Sequence, residues 1–176
     1  GRVPVNWAVL HGETETGASL HYMEIKPDAG DLVAQTTVPI LRDDTAFEVF
    51  QKVTVAAELT LARALPQLIA GTAPSIPLDL KSGSYFSGRK PDDGRIDWNK
   101  PARDVYNLIR AVAPPYPGAF CDNFAVRIVI ARARVVLPPV PVAGDAGSIT
   151  SAGGSPGIRC GDGKLLEPLA IIVNEQ

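Results

Sequence analysis

Hydrophobic spacing divides this chain into helical and extended stretches. Val5, Trp7, Ala8, Val9 and Leu10 follow Pro4 in a compact apolar run. Proline suits a first helical turn and Gly12 can end one, so the run predicts a short helix. GETETG (12–17) then turns the chain into an extended run, Ala18 to Glu24, where Leu20 and Tyr22 alternate with Ser19, His21 and Met23. After PDAG (27–30), Leu32 to Val38 has the β-branched content of a strand. Two strands joined by a tight loop predict an antiparallel pair at one side of a sheet.

Thr45-Ala46-Phe47-Glu48 has the spacing of a capping box. Phe47, Phe50, Ala57, Leu61, Ala64 and Leu68 follow at three- and four-residue steps, with one longer gap. They predict a long helix with that face packed on a sheet. Gly71 is expected to stop it, and Pro66 to kink or end it nearby. Residues 72–100 are rich in Pro, Gly, Ser and Asp and are read as a traversing loop. Pro101 to Val112 predicts a second amphipathic helix with Val105, Leu108, Ile109 and Val112 inward. Pro114, Pro115 and Pro117 demand a rigid turn. Beyond them Phe124–Val136, Ser148–Thr150, Gly157–Cys160 and Leu169–Val173 read as short strands between Gly-rich turns, the pattern of a small antiparallel barrel. The expected class is α/β, with the mixed region first and the barrel last.

Composition and charge narrow the picture. The chain has 176 residues, 45% of them hydrophobic and 20% charged, with no long apolar run of membrane-spanning length. Cys121 and Cys160 form no CxxC pair, so reduced thiols in a cytoplasmic protein are expected rather than a disulfide framework or zinc site. The net charge of −2 argues against a purely electrostatic nucleic-acid binder. The charge is uneven: residues 1–79 carry five Lys and Arg against ten Asp and Glu, and residues 80–176 carry twelve against nine. That basic excess leaves a polyanionic partner open for the second region. The chain opens at Gly1 in mid-motif and without Met. An upstream segment is therefore expected, and targeting is not legible.

Asp28 is the sharpest chemical candidate. It sits between Pro27 and Gly30 on the loop joining two predicted strands. Spacing alone leaves two readings: a carboxylate facing a ligand, or Asp28 and Asp31 as turn residues capping the amides of DAGD. His11 and His21 have no Ser or Cys near them in a nucleophile motif. No His, Cys or Asp cluster has metal-ligand spacing. Gly161-Asp162-Gly163 reads as a hairpin turn, lacking the strand–loop–helix context of a phosphate loop. Arg127, Arg132 and Arg134 form either a phosphate-contacting stripe or a solvated strand face.

Several segments together resemble the formyltransferases that use 10-formyltetrahydrofolate. They are GRVPVNW (1–7), GETETG (12–17), PDAG with the following VAQ (27–35), GRKPDDGRIDW (88–98), RAVAPPYPGAF (110–120) and IRCGDGKLL (158–166). Within that family the chain is most similar to the bacterial formyltransferases acting on UDP-4-amino-4-deoxy-L-arabinose in lipid A modification. The resemblance implies the later part of a Rossmann-like catalytic domain over residues 1–78, a linker over 79–100, and a helix with an OB-like barrel over 101–176. It implies 10-formyltetrahydrofolate as formyl donor, no metal, and a nucleotide-sugar substrate. In the family an Asn and a His assist the attacking amine, and an Asp holds the His and raises its pKa. Asp28 matches that Asp. Arg2 and the run Glu24, Ile25, Lys26, Pro27 and Asp28 match positions that contact the folate. The family's Asn and His are expected just upstream of Gly1, so these 176 residues are expected to be inactive alone. The competing readings are methionyl-tRNA formyltransferase and a non-catalytic folate or nucleotide-sugar binding module. Tyr116, in the proline-rich turn, either borders the active-site cleft or belongs to a rigid elbow.

Overall fold

A computed structural model of the chain describes residues 2–81, 83–123, 126–136, 142–152 and 154–175. Helix α1 (Pro4–His11) has its proline in the first turn and stops at Gly12, whose φ of 71° lies in the left-handed region. Strands β1 (Glu15–His21) and β2 (Leu32–Pro39) pair antiparallel as expected. Among the described residues they form a two-stranded sheet of their own rather than one side of a larger sheet. β1 also starts inside GETETG, because those polar residues already carry the ladder: Glu15 stands opposite Pro39.

Helix α2 (Ala46–Ile69) keeps the predicted capping box. The Glu48 amide donates to Thr45 Oγ1 at 3.3 Å, and the Thr45 amide donates to Glu48 Oε2 at 2.7 Å. Pro66 falls in the last turns and the helix ends three residues later, with the Gly71 amide returning to the Leu68 carbonyl at 3.2 Å. The buried face shares Ala64 with the expected one and otherwise differs from it. Ala46, Val49, Ala56, Thr60 and Ala64 are buried, on a helix that packs against β1 and β2. Phe47, Phe50 and Leu61 are 38%, 50% and 47% exposed. Both stripes repeat at three- and four-residue steps, so periodicity defines the period and leaves the phase open. Small side chains let the helix approach the hairpin closely. Thr60 adds a polar tie there, its hydroxyl 2.6 Å from Thr36 Oγ1.

A short 3-10 turn (Pro91–Gly94) precedes helix α3 (Ala102–Ala111). As expected, Val105, Ile109 and the following Val112 are buried, and Leu108 packs partly buried against the same cluster. The helix start is capped from far away: the Ala102 amide donates to Asp162 Oδ1 at 3.2 Å. The GDG hairpin turn therefore also serves as a helix cap.

Strands β3 (Ala119–Asn123), β4 (Val126–Val135), β5 (Ile149–Ala152), β6 (Ser155–Arg159) and β7 (Leu165–Glu175) form one antiparallel sheet in the order β3-β4-β7-β6-β5. The sheet curls into a half-barrel, and the β4–β7 register shifts around Arg132, where a bulge strengthens the bend. β3 was not anticipated, β7 starts before Leu169, and Phe124 lies outside the described residues.

Two clusters form the core. One joins α3 to the curled sheet through Val105, Tyr106, Ile109, Ile130 and Leu166. The other joins α1, α2 and the end of α3 through Val5, Val9, Val49 and Ala111. Tyr116 packs against both. Between them lies Arg110, only 4% exposed. Its guanidinium donates to Asn107 Oδ1 at 2.9 Å and to the carbonyls of Val9, Asp44 and Leu41 at 3.3, 3.1 and 3.5 Å. The neighbouring Tyr106 hydroxyl donates to Asp43 at 2.7 Å, and burial, reinforced by that carboxylate, pushes the phenol up to about 12.

The strand arginines are largely engaged. Arg134 meets Glu167 at 2.7 Å, while Arg127 and Arg95 meet Asp122 at 2.8 and 2.7 Å. This favours the solvated-face reading of the stripe. The hydrogen bond from Arg127, ahead of that from Arg95, holds the Asp122 carboxyl at about 2. A depressed carboxylate pKa contributes stability that is present above the unfolded value of ~3.9. That stability is lost as pH falls through the folded value. NMR titration is expected to place Asp122 near 2, and Asp122→Asn to flatten the stability profile below pH ~4.

Candidate active site

The loop between β1 and β2 forms the candidate site. It closes where the Tyr22 amide donates to the Asp31 carbonyl at 3.0 Å. A Cβ on Gly30 would meet the Tyr22 oxygen at 1.7 Å, so only glycine lets the two loop arms approach this closely. Asp28 sits near the tip with φ 58°, a left-handed conformation that Asp tolerates better than most residues. The next chain segment is stapled to the loop base. Leu32 and Ile76 exchange backbone hydrogen bonds at 2.8 and 3.0 Å, and the Ser75 hydroxyl donates to Asp31 Oδ2 at 2.6 Å. Asp31 thus binds Ser75, which places its carboxylate outside the simple turn-capping role.

These elements enclose an open cavity of about 550 Å³ lined by Tyr22, Glu24, Ile25, Lys26, Ala29, Gly30, Asp31 and Ser75. Glu24, Ile25 and Lys26 therefore come together on one cavity wall, while Pro27 and Asp28 continue the same loop beside it. Ile25 and Met23 are almost fully exposed, giving the loop an apolar tip. Arg2 stands apart from this cavity. Its amide donates to the Phe86 carbonyl at 3.1 Å, and its side chain lies against Gly88.

His21 ends near Asp28, with Nε2 4.0 Å from Oδ1. Its Nδ1 lies 2.9 Å from the Tyr22 carbonyl, which can only accept, so Nδ1 carries the proton. Only the doubly protonated ring can also donate to Asp28. His11 lies elsewhere, stacked on Trp7. Ser75 had no signal in the sequence, because its partner is 44 residues away. Tyr116 lines a separate cavity of about 160 Å³ with Val3, Asn6 and Arg89. Among the described residues, no group of three or more His, Cys, Asp or Glu is placed to hold a metal ion, and no helix is long and apolar enough to cross a membrane.

Chemically, the loop offers a carboxylate held by backbone geometry, open backbone groups and a cavity with one Lys and two carboxylates on its walls. Such a carboxylate can orient an imidazole and favour its protonated form.

Comparison with known proteins agrees with this architecture. An N-formyltransferase of Helicobacter canadensis, solved with folinic acid and dTDP-3-aminofucose, superposes with a TM-score of 0.75 at 20% identity, covering 99% of this chain and 61% of that one. WlaRD, a sugar 3N-formyltransferase solved with dTDP and 5-N-formyl-THF, gives 0.72 at 19% identity, covering 98% and 59%. The methionyl-tRNA formyltransferase of Clostridium thermocellum gives 0.64 at 17%, covering 98% and 62%. At these identities the likeness concerns the fold, and the chain spans about three fifths of the length of these structures. A family model described as formyl transferase matches residues 1–65, and one described as formyl transferase, C-terminal domain, matches residues 89–171. With both of its regions matched in order, the chain belongs to the formyl transferase family.

Proposed function

We propose that this chain is the part of a formyltransferase that serves transfer from 10-formyltetrahydrofolate to the primary amine of a nucleotide-linked amino sugar, UDP-4-amino-4-deoxy-L-arabinose, in cytoplasmic lipid A modification. Family membership over both regions, with Asp28 held on a left-handed loop beside an open cavity, carries the reading. Two of the similar structures were solved with a folate and with a dTDP-sugar or dTDP, which supports these ligand classes.

The chemistry sets the requirements. A neutral amine attacks the formyl carbon, a C–N bond forms, and negative charge develops on the formyl oxygen. The bond to the folate nitrogen then breaks, the amine loses one proton and the folate nitrogen gains one. A histidine moves that proton, and Asp28 holds the histidine and raises its pKa. Glu24, Ile25, Lys26, Pro27 and Asp28 contact the folate from the loop, and Arg2 contacts it from the segment before α1.

The test uses the native-length protein with 10-formyltetrahydrofolate and either the UDP-amino sugar or methionyl-tRNA. The expected product is the formylated sugar nucleotide, detected by mass. Formylation of methionyl-tRNA alone overturns the sugar reading. Folate binding without transfer to either acceptor overturns the enzymatic one in favour of a binding module.

A further inference from the structure

A further cavity shares no lining residue with the folate loop or with the Tyr116 turn, and its walls are basic. It encloses about 410 Å³ where four separate segments converge. Arg42 comes from the loop between β2 and α2, Arg103 from the first turn of α3, Arg134 from β4 and Lys164 from the turn that leads into β7. Among the described residues, Asp43 is the one carboxylate that lines it. Four cations to one acid is a local excess in a chain whose net charge is −2. Arg42 belongs to the first family-matched region and the other three cations to the second, so the cavity spans their junction.

The single acid is already engaged: Asp43 Oδ1 accepts from the Tyr106 hydroxyl at 2.7 Å. Two of the cations are held in place, Arg134 by Glu167 at 2.7 Å and Lys164 by Asp162 at 3.2 Å. Arg42 and Arg103 are exposed, and neither has a carboxylate within ion-pair distance among the described residues. Two guanidinium forks are therefore open to an incoming anion. Arg110 is an independent pointer. It is buried beside Tyr106, which lines the cavity, with its guanidinium 6.0 Å from the ring centre. Among the described residues, every oxygen that accepts from it is neutral, and the nearby Asp44 is turned to Lys52. Burial foremost, with repulsion from Arg103 in the same direction, lowers the Arg110 pKa. A desolvated positive charge without a direct counter-ion acts over a longer range than a solvated one, and it favours an anion in the adjoining cavity.

We infer that this cavity binds a small oligophosphate of the pyrophosphate class. Phosphoryl oxygens accept paired bonds from a planar guanidinium, which suits Arg42 and Arg103. Several negative charges on one compact molecule answer the excess better than a single carboxylate does. A ligand with two linked phosphoryl groups can meet Arg42 from one region and Arg103 from the other, and so ties the two regions together when bound. The site stands apart from the folate loop, so the inference does not depend on which amine accepts the formyl group.

The native-length protein is titrated by calorimetry with pyrophosphate, orthophosphate, citrate and ADP at fixed ionic strength, while the Tyr106 ring signals are followed by NMR. Pyrophosphate is expected to shift those signals and to bind at least about tenfold more tightly than orthophosphate or citrate. Arg42→Gln and Arg103→Gln are each expected to weaken it about threefold, and the double variant about tenfold. Both side chains are exposed, so the variants keep the fold, which circular dichroism checks. Arg63→Gln, an exposed position on α2, is expected to leave the affinity unchanged. An unchanged affinity in the double variant places the anion elsewhere and overturns the inference. Equal weakening by Arg63→Gln means diffuse attraction and overturns it too. So does equal binding of orthophosphate or citrate, an unmoved Tyr106 signal, or no pyrophosphate binding by folded protein. ADP binding that the double variant weakens assigns the diphosphate to a nucleotide, and pyrophosphate binding without it assigns the free anion; either result upholds the site.

Discussion

Asp28→Asn in the native-length protein is expected to lower kcat for formyl transfer by about 10²–10⁴-fold, the usual size of an acid–base contribution. KM for the folate should change far less than kcat, because the other folate contacts of the loop are kept. The substitution is a clean one. Asparagine matches aspartate in shape and is at ease in the left-handed conformation that Asp28 adopts at φ 58°. The loop is therefore kept while the negative charge is lost. A neutral amide no longer favours the imidazolium form of the histidine it holds, so that histidine's pKa falls. The rising limb of the kcat–pH profile then moves to lower pH. That displacement separates a pKa-setting role from a merely structural one, and an unchanged kcat with an unmoved limb contradicts the role proposed for Asp28.

Arg110→Met is expected to cost about 3–5 kcal/mol of folding stability, the range for breaking a buried polar network by removing one partner. The guanidinium serves three backbone carbonyls and Asn107 from a site that is 4% exposed. Methionine fills much of the volume but leaves those oxygens without donors. With ~2–4 °C lost per kcal/mol in a chain of this size, Tm should fall by roughly 10 °C or more. Arg110→Lys should recover only part of this, because one ammonium cannot span carbonyls from two separate segments together with the Asn107 side chain. Urea unfolding checks both variants, and a loss under about 1 kcal/mol in Arg110→Met contradicts the account.

Local chemistry was the legible part of this fold. The capping box of α2 and the proline and glycine that bracket α1 involve neighbours within four residues, so their signals survive in the sequence. Packing partners were not legible. Phe47, Phe50 and Leu61 outweigh Ala46, Ala56 and Thr60 in any hydrophobicity count, yet the hairpin takes the smaller stripe. β3 escaped because Ala119–Asn123 is short and directly follows a proline-rich turn. At the site, Asp28 and the Glu24–Lys26 wall came from the resemblance and the loop pattern. Ser75, Asn107 and Arg110 did not, since each is defined by partners remote in the chain or by burial. An arginine on an amphipathic helix gives no sign in its own neighbourhood that three distant carbonyls will meet it.

The ties made by α3 bear on how relatives of this protein can exchange parts. Its start is closed by Asp162 from the curled sheet, and its end is anchored by Arg110 to α1 and to the turn before α2. A chimera joined in the loop between α2 and α3 would pair an arginine from one parent with carbonyl positions from the other. Hybrids that inherit α1, residues 40–44 and α3 from a single parent should fold, whereas those that divide this set should be recovered mostly as insoluble protein. Breakpoints tolerated by selection should accordingly fall within the curled sheet, and the proline- and glycine-rich stretch that looks like the natural seam should be the one recombination avoids.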